Sequence, residues 1–347
     1  MDFTFTEDQL LFQESVRDFL GNEVGPERVR ASWESDSGRD PALWAQLAEM
    51  GLTGLTVPEE HGGLGMTELD FILLAQECGY VALPEPLVHC ALVAAPTLQA
   101  IGGDIAAEWL PGLASGAVKV VVGLQQNLLV EDAQVADLLI LQQGDTLVAA
   151  PAEAVSLVRS ESVDPSRRLY QVALNGDAPV VAEGEKAEAI VAAAFNRGAL
   201  GAAAQALGLA QRMLDMSVQY TGERQQFGKP IGSFQAVKHH MANVAVRLEY
   251  AKAPVYRAAY AIAHAQPIAA RAVSHAKLVA CEAANLAAKN SIQVHGAMGY
   301  TWEVDLHIFM KKAWALANTW GDAGCHKARV ASDIFADGTT LGAGATF

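Results

Sequence analysis

Residues 185–347 constrain this chain more than any other stretch. Their hydrophobic period is helical almost throughout, with helices expected at about Ala187–Gln219, Phe234–Ala263, Pro267–Gly296 and Asp305–Phe335. Segments of about thirty residues exceed ordinary globular helices and favour a long four-helix bundle over a coiled coil. The first is crowded with small residues, among them Gly198, Ala199, Gly201, Ala202, Ala206 and Gly208. Glycine inside a helix costs about 1 kcal/mol, so a closely packed neighbour is expected there. Hydrophobic residues make up 51% of the chain and charged residues 18%. Helices so poor in charge are buried on most sides, and extensive subunit contact would account for it.

The first hundred-odd residues also read as helix. Residues 4–22 carry Phe5, Leu10, Phe12, Val16, Phe19 and Leu20 at mixed three- and four-residue spacing, with Thr6 as a cap. A helix over Asp40–Met50 opens at Pro41 and closes at Gly51, a punctuated loop runs to Gly65, and helices follow over Thr67–Cys78 and Leu87–Ile101. From Val118 the texture turns to strand: 118–124, 137–141, 146–150 and 169–174 are short apolar or alternating runs. Gly144-Asp145 stands between two of them as a hairpin turn would. The expected fold is mainly α with a small β domain, divided into an N-terminal helical domain (1–116), a reduced middle β domain (117–184) and a C-terminal four-helix bundle (185–347).

Twenty-four basic against 39 acidic side chains give a net charge of −15, which argues against nucleic acid or an anionic membrane as partner. Cys78, Cys90, Cys281 and Cys325 lack metal-ligand spacing and read as reduced thiols. The amino terminus has no secretory pattern, and no apolar run reaches the ~18 residues of a membrane helix, so the cytoplasm is the expected location. No metal site is expected either. Glu-x-x-His pairs are absent, and His239 and His240, being adjacent, point about 100° apart on a helix. A G-x-S-x-G elbow, a phosphate loop and a G-x-G-x-x-G fingerprint are missing, and Gly62-Gly63-Leu64-Gly65 reads as a tight turn.

Two stretches stand out. In Arg224-Gln225-Gln226-Phe227-Gly228-Lys229-Pro230-Ile231-Gly232-Ser233-Phe234-Gln235 a guanidinium that can pair with phosphate precedes an aromatic by three residues. Gly-Lys-Pro then breaks the helix, and Ser233 is placed to cap the next one. Gln293-Val294-His295-Gly296-Ala297-Met298-Gly299-Tyr300 ends a helix in glycines, where backbone amides can approach a ligand. Taken singly, the first also reads as a charged helix end followed by a turn, and the second as a glycine C-cap. Both end helices of one bundle.

Arg224-x-x-Phe227-Gly228 and Gln293-x-His295-Gly296-x-x-Gly299-Tyr300 resemble two bundle motifs of the acyl-CoA dehydrogenases. Gly51-Leu52-x-Gly54-Leu55-x-x-Pro58-Glu59-Glu60-x-Gly62-Gly63-x-Gly65 resembles that family's first-domain signature. The resemblance covers nearly the whole chain. It implies that Arg224, Phe227, Gln293 and the Gly296–Ala297 backbone hold the adenosine diphosphate part of an FAD lying mainly in the neighbouring subunit. Ala297 stands where a second glycine is usual.

The departures concern the reaction, which in the family desaturates an acyl-CoA between Cα and Cβ with a Glu as base. Gly321 falls on the usual Glu position, and Asn196 on the position used by a smaller branch; neither can act as a carboxylate base. Asp322, one residue on, is the only local carboxylate; its other reading is a solvated or capping side chain. The family's Thr-Glu-Pro-x-x-Gly-Ser-Asp and Trp-Ile/Thr-x-Asn-Gly flavin-ring stretches are absent between Val118 and Gly184. The pattern resembles the base-lacking subunit of bacterial α2β2 heterotetramers of the steroid side-chain type. A second acyl-CoA dehydrogenase-like chain would there supply the base, hold most of the acyl-CoA and pass electrons to an electron-transfer flavoprotein. The alternatives are a self-sufficient homo-oligomer using Asp322 and a flavin-free assembly protein on the same scaffold.

Overall fold

The computed structural model describes residues 4–340 and 342. The amino-terminal helices are α1 (Glu7–Glu23), α2 (Pro26–Glu34), α3 (Pro41–Glu49) and α4 (Glu68–Tyr80). A π-helical stretch, Val88–Ala94, runs straight into α5 (Ala95–Ile101), and α6 (Gly103–Ala114) closes the run. Seven strands follow: β1 (Val120–Gly123), β2 (Val130–Glu131), β3 (Leu138–Gln143), β4 (Thr146–Pro151), β5 (Val155–Ser160), β6 (Leu169–Leu174) and β7 (Val180–Glu183). The remainder is α7 (Gly184–Glu223), a hairpin of β8 (Gln225–Gln226) and β9 (Lys229–Pro230), then α8 (Gln235–Ala263), α9 (Ala269–His295), α10 (Leu306–Ala317) and α11 (Ala323–Ile334). The fold is mainly α with a small β region, as expected. The chain forms two compact units: the described residues of Met1–Pro26, Ile72–Leu83 and Ala202–Phe347, and those of Glu27–Phe71 and Pro84–Gly201.

The first unit is the bundle. Ala276, Ala280, Ala283, Ala284, Ala287 and Ala288 of α9 are buried, so this helix can pack on α8, α10 and α11 at short range. Gly201 and Gly208 of α7 have the close neighbours their cost demanded. A Cβ at Gly208 would lie 1.9 Å from the carbonyl oxygen of Gln76, and one at Gly79 would lie 2.1 Å from that of Gln205. Helices α4 and α7 therefore touch backbone to backbone. Helix α1 opens with a reciprocal cap, Gln9 N–H to Thr6 Oγ1 and Thr6 N–H to Gln9 Oε1. It is fastened to α4 by the Arg17 guanidinium, which reaches both oxygens of the buried Glu77 at 2.8 and 3.1 Å.

In the second unit Asp40 caps α3 at N–H groups of Ala42 and Leu43, and Pro41 takes its first position. The glycine-rich loop is the tight turn expected: Leu64 N–H donates to Gly54 O, and a Cβ at Gly63 would strike Val57 O at 2.1 Å. The strands form two sheets, ordered β1-β3-β4-β7 and β2-β6-β5. Strands β3 and β4 meet around Gly144-Asp145 with Gln143 opposite Thr146, the expected hairpin. Val121, Leu139, Leu141, Val148, Ala150 and Tyr170 fill the space among the strands. The buried Arg39 guanidinium bonds Asp132 and the Ser166 carbonyl, and Arg168 donates to the Ser32, Trp33 and Ser35 carbonyls at the end of α2. These two arginines bolt β-region loops onto the helical part of the unit.

The sequence reading missed α2, α6, β2, β5, β7 and the β8–β9 hairpin. It also joined what the structure divides: the helix expected over Asp305–Phe335 is two, α10 and α11, separated at Asn318–Asp322. The cause is local. Trp320 and Gly321 both sit at positive φ, +54° and +86°, which no helix tolerates.

Candidate functional site

Helix α7 stops at Glu223, and Arg224 N–H still reaches Tyr220 O at 2.8 Å. The chain then folds back through β8 and β9 around Phe227-Gly228, with φ +55° and +77° at the two turn residues. Two left-handed residues in a two-residue loop match the twist of a hairpin, and for phenylalanine that conformation is an outlier. Its ring is 90% exposed, touching Phe234 edge-on at 6.1 Å, while the Lys229 ammonium lies 4.4 Å from the Phe234 ring centre. Ser233 is not the cap of the next helix. Phe234 occupies that position in extended geometry without a side-chain cap bond, because Ile231–Ser233 forms a 3₁₀ turn first.

Helix α9 ends at His295. Gly296 turns the chain with φ +60° and ψ −137°, its N–H donating to Gln293 O, and a 3₁₀ turn continues to Tyr300. Gln293, Gly296 and Ala297 are exposed. A Cβ at Gly296 would meet nothing within 4 Å, so the backbone conformation, rather than crowding by its own chain, demands glycine here.

Two contacts bring the ends of α7 and α9 together. The Ser291 hydroxyl donates to Met213 O at 3.2 Å, and the Tyr220 and His295 rings stack at 4.3 Å with 19° between planes. His295 Nδ1–H donates to Ser291 O at 2.8 Å, and burial holds its imidazole below the usual histidine range. Tyr220 stands one helical turn before Arg224, and His295 two residues after Gln293. Sequence reasoning counted His295 as part of the second motif without giving its ring a role, and did not single out Tyr220. The stack thus joins the two helix ends from which Arg224 and Gly296 follow, one turn after Tyr220 and directly after His295.

Gly321, the position that the resemblance assigns to the base, lies in the break between α10 and α11. Lys277, 1% exposed, sends its ammonium from α9 to the carbonyls of Leu316, Ala317 and Gly321 at 2.8, 3.3 and 3.4 Å. A cation at the C-terminus of α10 also meets the negative end of that helix's dipole. Buried His326 donates from Nε2 to Trp320 O at 2.9 Å and accepts at Nδ1 from the Ser274 hydroxyl. Burial and the neighbouring Lys277 charge push its pKa down to about 4. Asp322 is exposed and caps α11, its Oδ1 accepting from Cys325 N–H at 2.8 Å. Asn196 is partly buried on α7. His239 and His240 form no pair; His240 Nδ1 bonds Asn290 instead. Among the described residues no three His, Cys, Asp or Glu side chains group as metal ligands.

The residues present fit one end of an FAD. Arg224 is exposed and makes no ion pair with a described residue, the Gln293 amide is exposed, and the Gly296 backbone is open. They would hold a diphosphate. At Gly321, where the resemblance expects a base, no side chain is offered, and the neighbouring Asp322 carboxylate is engaged as a cap.

The Acyl-CoA dehydrogenase N-terminal domain family matches residues 6–117 and the Acyl-CoA dehydrogenase C-terminal domain family residues 188–335. The chain belongs to the acyl-CoA dehydrogenase family. It is 33% identical over 308 residues to acyl-CoA dehydrogenase IpdE2 of Mycobacterium tuberculosis, covering 88% of this chain and 91% of that one. To IpdE2 of Mycolicibacterium smegmatis it is 32% identical, covering 95% and 100%. Among solved structures, the ChsE4-ChsE5 complex of M. tuberculosis superposes with a TM-score of 0.85 at 22% identity, covering 96% of this chain and 99% of that one. The Tcur3481-Tcur3483 steroid ACAD G363A variant does so with 0.84 at 24% identity, covering 94% and 97%. At such identities these two show the fold.

Proposed function

We propose that this chain is the base-lacking subunit of a heteromeric, FAD-dependent acyl-CoA dehydrogenase and lends the diphosphate half of a flavin site to a catalytic partner. One observation carries the reading. The diphosphate end is open and unpaired, while the base position holds Gly321 at φ +86° beside a carboxylate already committed to capping α11. When bound, FAD supplies the hydride acceptor for α,β-desaturation of an acyl-CoA thioester. This chain's Arg224 would neutralise the diphosphate, its Gln293 amide and Gly296–Ala297 backbone would bond it, and Phe227 would cover it. The proton at Cα would leave through a carboxylate of the partner, because none is free at Gly321. That partner would also hold most of the thioester, and an electron-transfer flavoprotein would take the electrons onward.

One solved neighbour is a steroid ACAD and another a complex of two chains, which supports both a second subunit and a bulky sterol-derived acyl group. The division into helical, β and bundle domains belongs to the same proposal. Expression alone and together with neighbouring open reading frames, followed by flavin-to-protein stoichiometry, tests it. The expected result is a colourless lone chain and a yellow complex with one flavin per pair of unlike chains. A lone chain that binds one FAD and desaturates a thioester would overturn it, in favour of the Asp322 enzyme. A complex with unchanged flavin after Arg224→Ala would favour the flavin-free scaffold.

A further inference from the structure

The two halves of the diphosphate site come from helices far apart in sequence, α7 and α9, and each half lies just beyond its helix's last turn. Read as sequence, the two motifs say nothing of the spacing between them. A clamp of this kind needs its guanidinium and its backbone donors held at one separation, because displacement of about 1 Å weakens oriented contacts severely.

We infer that the stacked pair Tyr220–His295 is the spacer that sets this separation, making both residues positioning residues of the diphosphate site; the inference rests on the reading of that site given above. The rings lie face to face at 4.3 Å and 19°. Each is tied to its half of the clamp by backbone: Arg224 N–H donates to Tyr220 O at 2.8 Å, and His295 is bonded directly to Gly296. His295 cannot swing, because its Nδ1–H is held by Ser291 O at 2.8 Å and the ring is 4% exposed. Ser291 in turn bonds α7 through Met213 O, two turns before Tyr220. The geometry is a ladder of two rungs, with the upper rung of backbone and hydroxyl and the lower rung of two flat rings. Only the lower rung lies level with the clamp.

A flat stack is suited to this task. Two planar rings resist approach at their van der Waals distance and resist tilting, while aliphatic side chains would leave the separation softer. The Tyr220 hydroxyl plays no part in this argument, which makes the prediction specific: the ring matters and the hydroxyl does not.

The test measures binding of ADP itself to the purified chain, by calorimetric titration to millimolar concentration, with the melting temperature recorded for each variant. Tyr220→Phe keeps the stack and is expected to bind within twofold of wild type. Tyr220→Ala removes it and is expected to weaken ADP about tenfold while the protein stays folded. Should that variant fail to fold, Tyr220→Leu keeps bulk without a flat face and is expected to show the same loss. Arg224→Ala serves as the marker of the site. If wild type binds ADP and Arg224→Ala weakens it, but Tyr220→Ala or Tyr220→Leu does not, the spacer is wrong and the site stands. If wild type takes up no ADP, or Arg224→Ala changes nothing, the site itself is wrong and the spacer falls with it. A loss in Tyr220→Phe equal to that in Tyr220→Ala would also overturn the inference, since it would assign the hydroxyl a direct role.

Discussion

Asp322 shows how a single side chain decides between readings. Its Oδ1 accepts from Cys325 N–H, the ordinary work of a helix N-cap. Asp322→Asn preserves that bond and is expected to leave thermal stability close to wild type, whereas Asp322→Ala should cost about 1 kcal/mol, read as a lower urea midpoint. Activity of a reconstituted complex is expected to survive both changes; loss in Asp322→Asn at full stability would make the carboxylate a base after all. Lys277 makes a larger claim. Its ammonium satisfies carbonyls of Leu316, Ala317 and Gly321 inside the bundle, so Lys277→Met should destabilise by about 3 kcal/mol, the cost of leaving such groups unpaired.

At the scale of elements, the second unit depends on buried charge. Arg39 and Asp132 are each nearly inaccessible and pair with one another, the arginine also bonding Ser166 O. Removing one partner strands the other, so Asp132→Ala is expected to cost about 3–5 kcal/mol, checked by chemical denaturation. How much of the fold could be read from sequence divides at this scale. Helices with long periodic faces (α1, α3, α4, α7, α8, α9) were legible because burial of one stripe leaves a clear spacing. The Gly144-Asp145 hairpin was legible because its turn chemistry is local. Strands β5 and β7 were not, since Val155–Ser160 and Val180–Glu183 are half-exposed and bear charged residues. The break at Asn318–Asp322 was hidden because Trp320, which carries no break signal in sequence, takes positive φ there, and Lys277, which satisfies the freed carbonyls, lies elsewhere in the chain. In the site, Arg224, Phe227 and Gly296 were visible as motif residues. The stack that adjoins them was not, because it joins positions seventy-five residues apart.

For the whole molecule, acid should unfold the chain by way of its buried imidazoles. His89 Nε2 accepts Val122 N–H at 3.0 Å, and burial pushes its pKa down to about 4, as it does for His326. Both are neutral in the folded state, while the unfolded chain takes up their protons near the ordinary value of about 6.5. Their contribution is therefore complete above about pH 6.5 and is lost as pH falls toward 4, each group accounting for on the order of 2–3 kcal/mol. Urea midpoints measured between pH 7 and pH 4 are expected to fall, and to fall less steeply in His326→Gln. No helix among the described residues is long and apolar enough to cross a membrane.

Trp320 and Gly321 also bear on redesign. Placing a glutamate at 321 would add a Cβ to a left-handed residue at φ +86°, costing about 1–3 kcal/mol and aiming the new carboxylate wherever that strained peptide points. An engineer placing a carboxylate there would also have to change the backbone at Trp320 and at Gly321, whose carbonyl Lys277 holds. If proton abstraction falls to a partner as proposed, main-chain geometry as much as an absent side chain keeps it out of this polypeptide.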